Sequence, residues 1–199
     1  MVHHRAVAMS VEDERLVLAY LGERARHLQR WRRTGGRWTE HGGAVPIESL
    51  QAAALAHPSP KVRRDALGVL DHAANDASTA TFRAALEDPA PRVRRFALHG
   101  LACERCRIGE VGVVDVVTDV LRLLRGDPSP RVRHAAIDVL VRFMDRDGRI
   151  VDALGEVAAD DDDECVRVAA SGAAAGEHRG WSRKAVRRRS GTSNGSCDP

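Results

Sequence analysis

Three side chains come nearest to a reactive constellation in this chain: His99, Cys103 and Cys106. They lie at i, i+4 and i+7, so a helix running through all three sets an imidazole and two thiols on one face. Zinc binds such donors, and a closed structural site takes four of them. The local sequence supplies three. His72 is the nearest fourth, because it holds in one repeat the position that Cys103 holds in the next. Helices of neighbouring repeats pack roughly 10 Å apart, so four donors would have to converge across that gap. The pair is therefore read as two reduced, structurally placed cysteines, and the protein as free of metal and cofactor. A redox role fares no better. Cys-x-x-Cys becomes reactive at a helix start, whereas this pair falls at a helix end, where the dipole disfavours the thiolate.

Other reactive motifs find no support. The one Gly-x-Ser-x-Gly match, Gly191-Thr192-Ser193-Asn194-Gly195, falls in the tail and follows no predicted strand, so it is not read as a nucleophile elbow, and there is no phosphate-cradling glycine loop. The acidic run Asp160–Glu164 lacks the spacing of a calcium loop. It reads as a turn and the first turn of a helix, where the dipole favours acids. Arg183-Lys184-Ala185-Val186-Arg187-Arg188-Arg189 is a basic patch that reads as a solvated tail. The net charge is +3, with 43% hydrophobic and 30% charged residues, a globular composition and not that of a dedicated nucleic-acid binder. Aromatic residues are only 4%. A core of Ala, Val and Leu suits close helix packing better than a β-sandwich.

The organising feature is repetition. Pro58-Ser59-Pro60-Lys61-Val62-Arg63-Arg64 recurs as Pro89-Ala90-Pro91-Arg92-Val93-Arg94-Arg95 and as Pro128-Ser129-Pro130-Arg131-Val132-Arg133-His134. A degenerate fourth copy is Asp162-Asp163-Glu164-Cys165-Val166-Arg167. The valines are 31, 39 and 34 residues apart. Each copy continues with apolar residues at i, i+4 and i+8: Val62, Ala66, Leu70; Val93, Ala97, Leu101; Val132, Ala136, Leu140; Val166, Ala170, Ala174. That spacing predicts one buried helix face per copy. The second proline suits the first helical position, and Ser59 and Ser129 suit the N-cap. A second helical pattern precedes each copy: Ile47, Leu50, Ala54 and Leu55; Phe82, Ala85 and Leu86; Val113, Val114, Val117, Leu121 and Leu124; Ile150, Leu154 and Val157. One such hairpin cannot bury its apolar face alone, but stacked hairpins can.

The pattern Asp-x-x-x-x-Val-Arg-x-x-Ala-x-x-x-Leu resembles the HEAT-like repeats of the phycobilisome-lyase type, found in bacterial proteins, over roughly residues 47–176. The resemblance implies an all-α fold, an α-solenoid of about four HEAT-like helical hairpins. It implies no single function, because that family includes scaffolds, lyases, hydroxylases and DNA glycosylases. Hydroxylase relatives need His-Glu dipeptides, which this chain lacks. Glycosylase relatives need aromatic residues in the repeats, yet Trp31, Trp38 and Trp181 lie outside them. The resemblance also implies a ladder. Arg63, Arg94, Arg133 and Arg167 should each face an acidic residue six positions earlier, in their own or a neighbouring repeat. Asp88, Asp127 and Asp161 keep that spacing, and His57 replaces the acid in the first copy.

The ends differ from the middle. Ser10-Val11-Glu12-Asp13 resembles a capping box. It predicts a capping helix to about Arg33 with Leu16, Leu18, Leu21, Ala25 and Leu28 as apolar positions. The expected division is a flexible N-terminus at 1–9, capping helix and loop at 10–46, the repeat solenoid at 47–176, and a basic, disordered tail at 177–199. No apolar run reaches the length of a membrane span, and the start lacks a signal-peptide stretch. The expected location is the cytoplasm. Cys103, Cys106, Cys165 and Cys197 are too few and too scattered for a disulfide framework.

Arg64, Arg95 and His134 hold one position in three copies, two residues after the valine. That position lies about 200° from the valine around the helix and points away from the core. Asp71 and Asp138 project to the same side and interrupt the positive field. The row therefore suits a protein partner of mixed charge better than a nucleic acid, and no membrane. The expected function is a non-catalytic protein-binding scaffold. An enzyme of the lyase or protein-modification type and a nucleic-acid-binding repeat protein stay open as alternatives.

Overall fold

The computed structural model describes residues 9–34, 45–71, 76–102 and 113–177. Among them there is no strand, and the helices are α1 (Val11–Thr34), α2 (Ile47–Ala56), α3 (Pro60–Leu70), α4 (Asp76–Ala85), α5 (Pro91–Ala102), α6 (Val113–Gly126), α7 (Pro130–Leu140), α8 (Arg149–Asp160) and α9 (Glu164–Ala174). They form two units, Met1–Gly109 and Glu110–Pro199. The first holds the hairpins α2–α3 and α4–α5, with α2 beside α4, α3 beside α5, and α1 against α2 and α3. The second holds α6–α7 and α8–α9, with α6 beside α8 and α7 beside α9. The fold is all-α, of the α-solenoid type built from helical hairpins. No described helix is long and apolar enough to cross a membrane. The expected N-terminal segment before residue 9, much of the 35–44 loop and the tail from 178 lie outside the described residues.

The turns explain the repeated prolines. Pro60, Pro91 and Pro130 open α3, α5 and α7, where a missing N–H leaves no bond unmade. Ser59 and Ser129 occupy the N-cap with extended backbones, but neither hydroxyl makes a cap bond. The turn is held from two residues earlier instead. His57 Nδ1, Asp88 Oδ1, Asp127 Oδ1 and Asp161 Oδ1 accept the N–H of Ser59, Ala90, Ser129 and Asp163 at 3.0, 2.8, 2.8 and 2.9 Å. This Asx-type closure needs a short side-chain acceptor at that position. The first copy achieves it with an imidazole nitrogen.

The core follows the repeat trios. Val93, Ala97, Leu101, Val132, Ala136, Leu140, Val166 and Ala170 are buried. Val62, their equivalent by sequence, is only half-buried. The first hairpin has α1 on its outer side, where α4–α5 has the full hairpin α2–α3. Leu55 also departs from its expected place and is 43% exposed on α2. One close approach sets the distance between α4 and α5. Phe82 is fully buried, and a Cβ placed on Gly100 would lie 2.2 Å from its ring. Only glycine lets the ring rest on the backbone of α5.

The capping helix docks differently from its apolar pattern. Leu16 and Leu18 are 49% and 45% exposed, while Val17 is fully buried. Ala25 is exposed and Leu21 half-buried, and the Leu28 side chain lies outside the described residues. The inward seam is polar and runs at helical spacing through Asp13, Val17 and Arg24. Ser10 Oγ accepts the Asp13 N–H at 3.0 Å and donates to Asp13 Oδ2 at 2.6 Å. Ser49 of α2 donates to Asp13 Oδ1 at 2.7 Å. These hydroxyls hold the Asp13 carboxyl below its ordinary pKa. Arg24 Nη2 donates to the Gly68 carbonyl of α3 at 2.8 Å. Hydrogen bonds, more than leucines, fix α1 on the first hairpin.

Within each unit the hairpins are tied by arginine. Arg63, Arg94, Arg133 and Arg167 each donate from Nη1 to the carbonyl six residues back, at 2.7, 2.8, 2.9 and 2.7 Å. The opposite edge of the guanidinium serves the next hairpin. Arg63 binds both oxygens of Asp88 at 2.6 and 2.8 Å, and Arg133 binds both oxygens of Asp161 at 2.8 Å. Arg133 Nη2 also contacts Asp162. The residue six positions earlier thus contributes its carbonyl, and the carboxylate comes from the following repeat. Burial pushes the Asp161 carboxyl upward, but Arg133 and the Asp163 N–H outweigh it and hold its pKa below the ordinary value.

Two outcomes follow from this packing. Gly100→Ala should destabilise the protein by about 1–3 kcal/mol through overpacking, although alanine favours helix by roughly 1 kcal/mol. Denaturant unfolding checks this, and Phe82→Leu in the same chain should recover part of the loss. Asp88→Asn should cost about 3–5 kcal/mol, because it strands a buried guanidinium. Asp161→Asn should cost less, because Arg133 keeps Asp162. A carboxyl with a depressed folded pKa adds stability above its unfolded pKa and loses it as pH falls through the folded value. Stability should therefore drop on acidification below the ordinary carboxylate value of 3.8. The drop should be shallower in Asp161→Asn.

Candidate functional site

Arg64 and Arg95 stand on α3 and α5, which pack side by side. Their electrostatic settings differ. Arg64 donates from Nε and Nη2 to Asp65 Oδ1 at 3.1 and 2.6 Å, and Lys61 reaches Asp65 Oδ2 at 2.7 Å. Burial raises the Asp65 carboxyl, but the two cations outweigh it and hold its pKa below the ordinary value. One carboxylate is thus shared by two of the three cations of α3. On α5 the place of Asp65 is taken by Phe96. Its ring centroid lies 5.8 Å from that of His99, tilted by 56°. Arg92 and Arg95 sit one turn apart on this helix and make no hydrogen bond or ion pair among the described residues. Arg92 is exposed and Arg95 half-buried. Neither Arg92 nor Phe96 stood out by sequence. Their signal is the exchange of Asp for Phe at equivalent positions of two repeats.

His134 belongs to the second unit, on α7, where its Nδ1 lies 3.9 Å from Asp138 Oδ2. Asp138 is exposed. Asp71 is not, and this corrects its expected place beside the arginine row. It is 1% exposed at the end of α3, with His99 Nε2 3.5 Å from Oδ2. Arg24 of α1, bonded to Gly68, feels its charge. The capping helix and α5 cover that end of α3, which a helical wheel of one repeat does not include. The acid that interrupts the positive face of the first unit is Asp65.

Of the candidate metal ligands, His99 is half-exposed beside Asp71 and Phe96. His72, Cys103 and Cys106 lie outside the described residues. Among the described residues no three His, Cys, Asp or Glu side chains converge. Cys165 on α9 is disulfide-bonded, a pairing that the scatter of cysteines along the chain did not reveal. A cleft of about 280 Å³ opens between the turns of the first unit, lined by Leu55, His57, Pro58, Glu87, Asp88 and Pro89 among others. Asp88 at its wall is bound to Arg63. His57 is committed to its turn through Nδ1 and faces Glu14 of α1 at 3.4 Å through Nε2. These groups hold the fold.

The ladder residues are likewise engaged in structure: Asp88 with Arg63, Asp161 with Arg133, Asp127 with the Ser129 N–H, and Arg94 with the carbonyls of Asp88 and Pro89. No curated protein and no solved structure matches the chain. The family model for HEAT repeats matches residues 47–122 and 107–175, well over half of the sequence. Those matches cover the hairpins from α2 to α9, so the chain belongs to the HEAT-repeat family.

Proposed function

We propose that the protein is a non-catalytic scaffold that binds a protein partner, with Arg64 and Arg95 on the contact face of the first unit and His134 on that of the second. HEAT repeats commonly serve as interaction scaffolds, and membership of that family supports the reading. The observation that carries it is the uncompensated pair Arg92 and Arg95 beside Phe96, next to Lys61 and Arg64, which share the single carboxylate of Asp65. A face that mixes free cations, an aromatic ring and a carboxylate fits a protein surface of mixed charge. A nucleic-acid backbone would favour a continuous positive track, which Asp65 interrupts. The resemblance to phycobilisome-lyase-type repeats of bacterial proteins concerns the same helices and adds no catalytic residue to them.

The test is capture from a nuclease-treated lysate of the native host on immobilised protein. The double variant Arg64→Glu, Arg95→Glu should lower recovery of the specific partner by about tenfold or more, as charge reversal at an interface does. Its melting midpoint should stay within about 2 °C of the parent, since exposed charges add little stability. Equal recovery by the variant would place the contact elsewhere. Recovery that depends on nucleic acid and falls steeply with salt would favour a nucleic-acid-binding protein instead.

A further inference from the structure

The rungs within the two units have the same polarity. At Arg63 and Arg133, Nη1 takes the carbonyl six residues back and the Nε–Nη2 edge faces the repeat that follows. At Arg63 and Arg133 that edge receives a carboxylate through paired bonds of 2.6 to 2.8 Å. Arg167 on α9 makes the backward bond, Nη1 to the Asp161 carbonyl at 2.7 Å. No helix follows α9 among the described residues. There the guanidinium makes no ion pair and no further hydrogen bond. Its forward edge is an open rung.

The rest of α9 says what kind of occupant fits. Four residues after the ladder arginine the earlier copies carry Leu67, Leu98 and Ile137, all fully buried. The last copy carries Ser171, which is exposed. A further hairpin has no aliphatic side chain to bury at that position. The specific attraction that remains is the guanidinium fork, whose planar geometry matches a carboxylate.

We propose that Arg167 docks an aspartate from the helix-opening turn of a partner protein. The carboxylate would be presented as Asp88 and Asp161 present theirs, with one oxygen held by the N–H two residues on and both oxygens facing the fork. Charge complementarity selects this source. Residues 178–199 carry six Lys and Arg against one Asp, a composition whose charge does not complement a guanidinium. A second copy stacked end to end would bring His57 to the rung, and its Nε2 already faces Glu14. The contact is small and polar, hence reversible. It belongs to the second unit, and it stands or falls independently of the proposed α3–α5 surface.

The probe is a synthetic peptide of residues 147–177, which carries the Asp161 turn between its two helices. It is titrated into the isotope-labelled full chain, read by calorimetry and by the NMR signals of the arginine Nε–H groups. Saturable binding that moves the Arg167 Nε–H is expected. Arg167→Gln should weaken it by about tenfold or more, as loss of a charge-assisted fork does. Arg167→Lys, which keeps the charge without the fork, should lose most of the affinity too. A peptide with Asp161→Asn should bind the parent chain as weakly, and it requires no change to the protein's fold. Combining the two changes should add little, since both remove one interaction. Affinity indifferent to these changes, or no saturable binding at millimolar peptide, would overturn the proposal. So would a shift at the Arg133 Nε–H in place of Arg167, which would mean that the peptide replaces α8–α9. Self-association of the chain that Arg167→Gln abolishes would instead assign the rung to a second copy.

Discussion

A planar guanidinium that binds in two directions at once is the interaction on which this architecture depends. One nitrogen closes the turn behind it by taking a carbonyl that α-helix geometry leaves without a partner. The other edge takes the carboxylate of the following hairpin. A lysine could not do both, because its ammonium has no fixed fork. The pair Arg63–Asp88 is nearly sheltered from water, at 9% and 5% side-chain exposure. Its bonds are strong only because every remaining donor and acceptor also has a partner: Asp88 holds the Ala90 N–H as well as the arginine. Buried charge is tolerable under that condition and costly without it.

The same requirement shapes the turn. An acceptor is needed two residues before the helix cap, and an extended backbone is needed before proline. Aspartate satisfies the first need in three copies. In the first copy His57 supplies a ring nitrogen in its place and has an extended backbone at ψ 135°. That exchange makes sense at the start of the series. No ladder arginine precedes it among the described residues, so a carboxylate there would lack the partner that Asp88 and Asp161 have. An imidazole keeps the turn closed while its other nitrogen meets Glu14 of the capping helix.

Using arginines as ties leaves other arginines for recognition. Those immediately after the valines point into the stack and are engaged. Those one position further on stand on the outer side of the same helices. Whether they are paired depends on one neighbour: Asp65 binds Arg64 on α3, and Phe96 in the equivalent place leaves Arg95 of α5 without that carboxylate. The glycine at Gly100 belongs to the same design, since it lets Phe82 fill the space between α4 and α5 and so sets where the arginine-bearing face of α5 lies.

Much of this was legible in the residues themselves. The period of the Pro-x-Pro-x-Val-Arg motif and the i, i+4, i+8 trios determine the helical hairpins and most of their buried face, because burial within a repeat follows helix geometry alone. The six-residue offset between acid and arginine marks the ladder. What the sequence could not specify is which repeat supplies each half of a rung, since one spacing serves a bond within a repeat and a bond between repeats equally well. Contacts across repeats decided the other departures as well. Val62 is less buried than its equivalents because a single helix flanks it. Leu16 and Leu18 face out because hydrogen bonds to Ser49 and Gly68 orient α1. Asp71 turns from a surface acid into a buried one because α1 and α5 close over the end of α3. A helical wheel contains one helix, and each of these outcomes depends on what a second helix places against it.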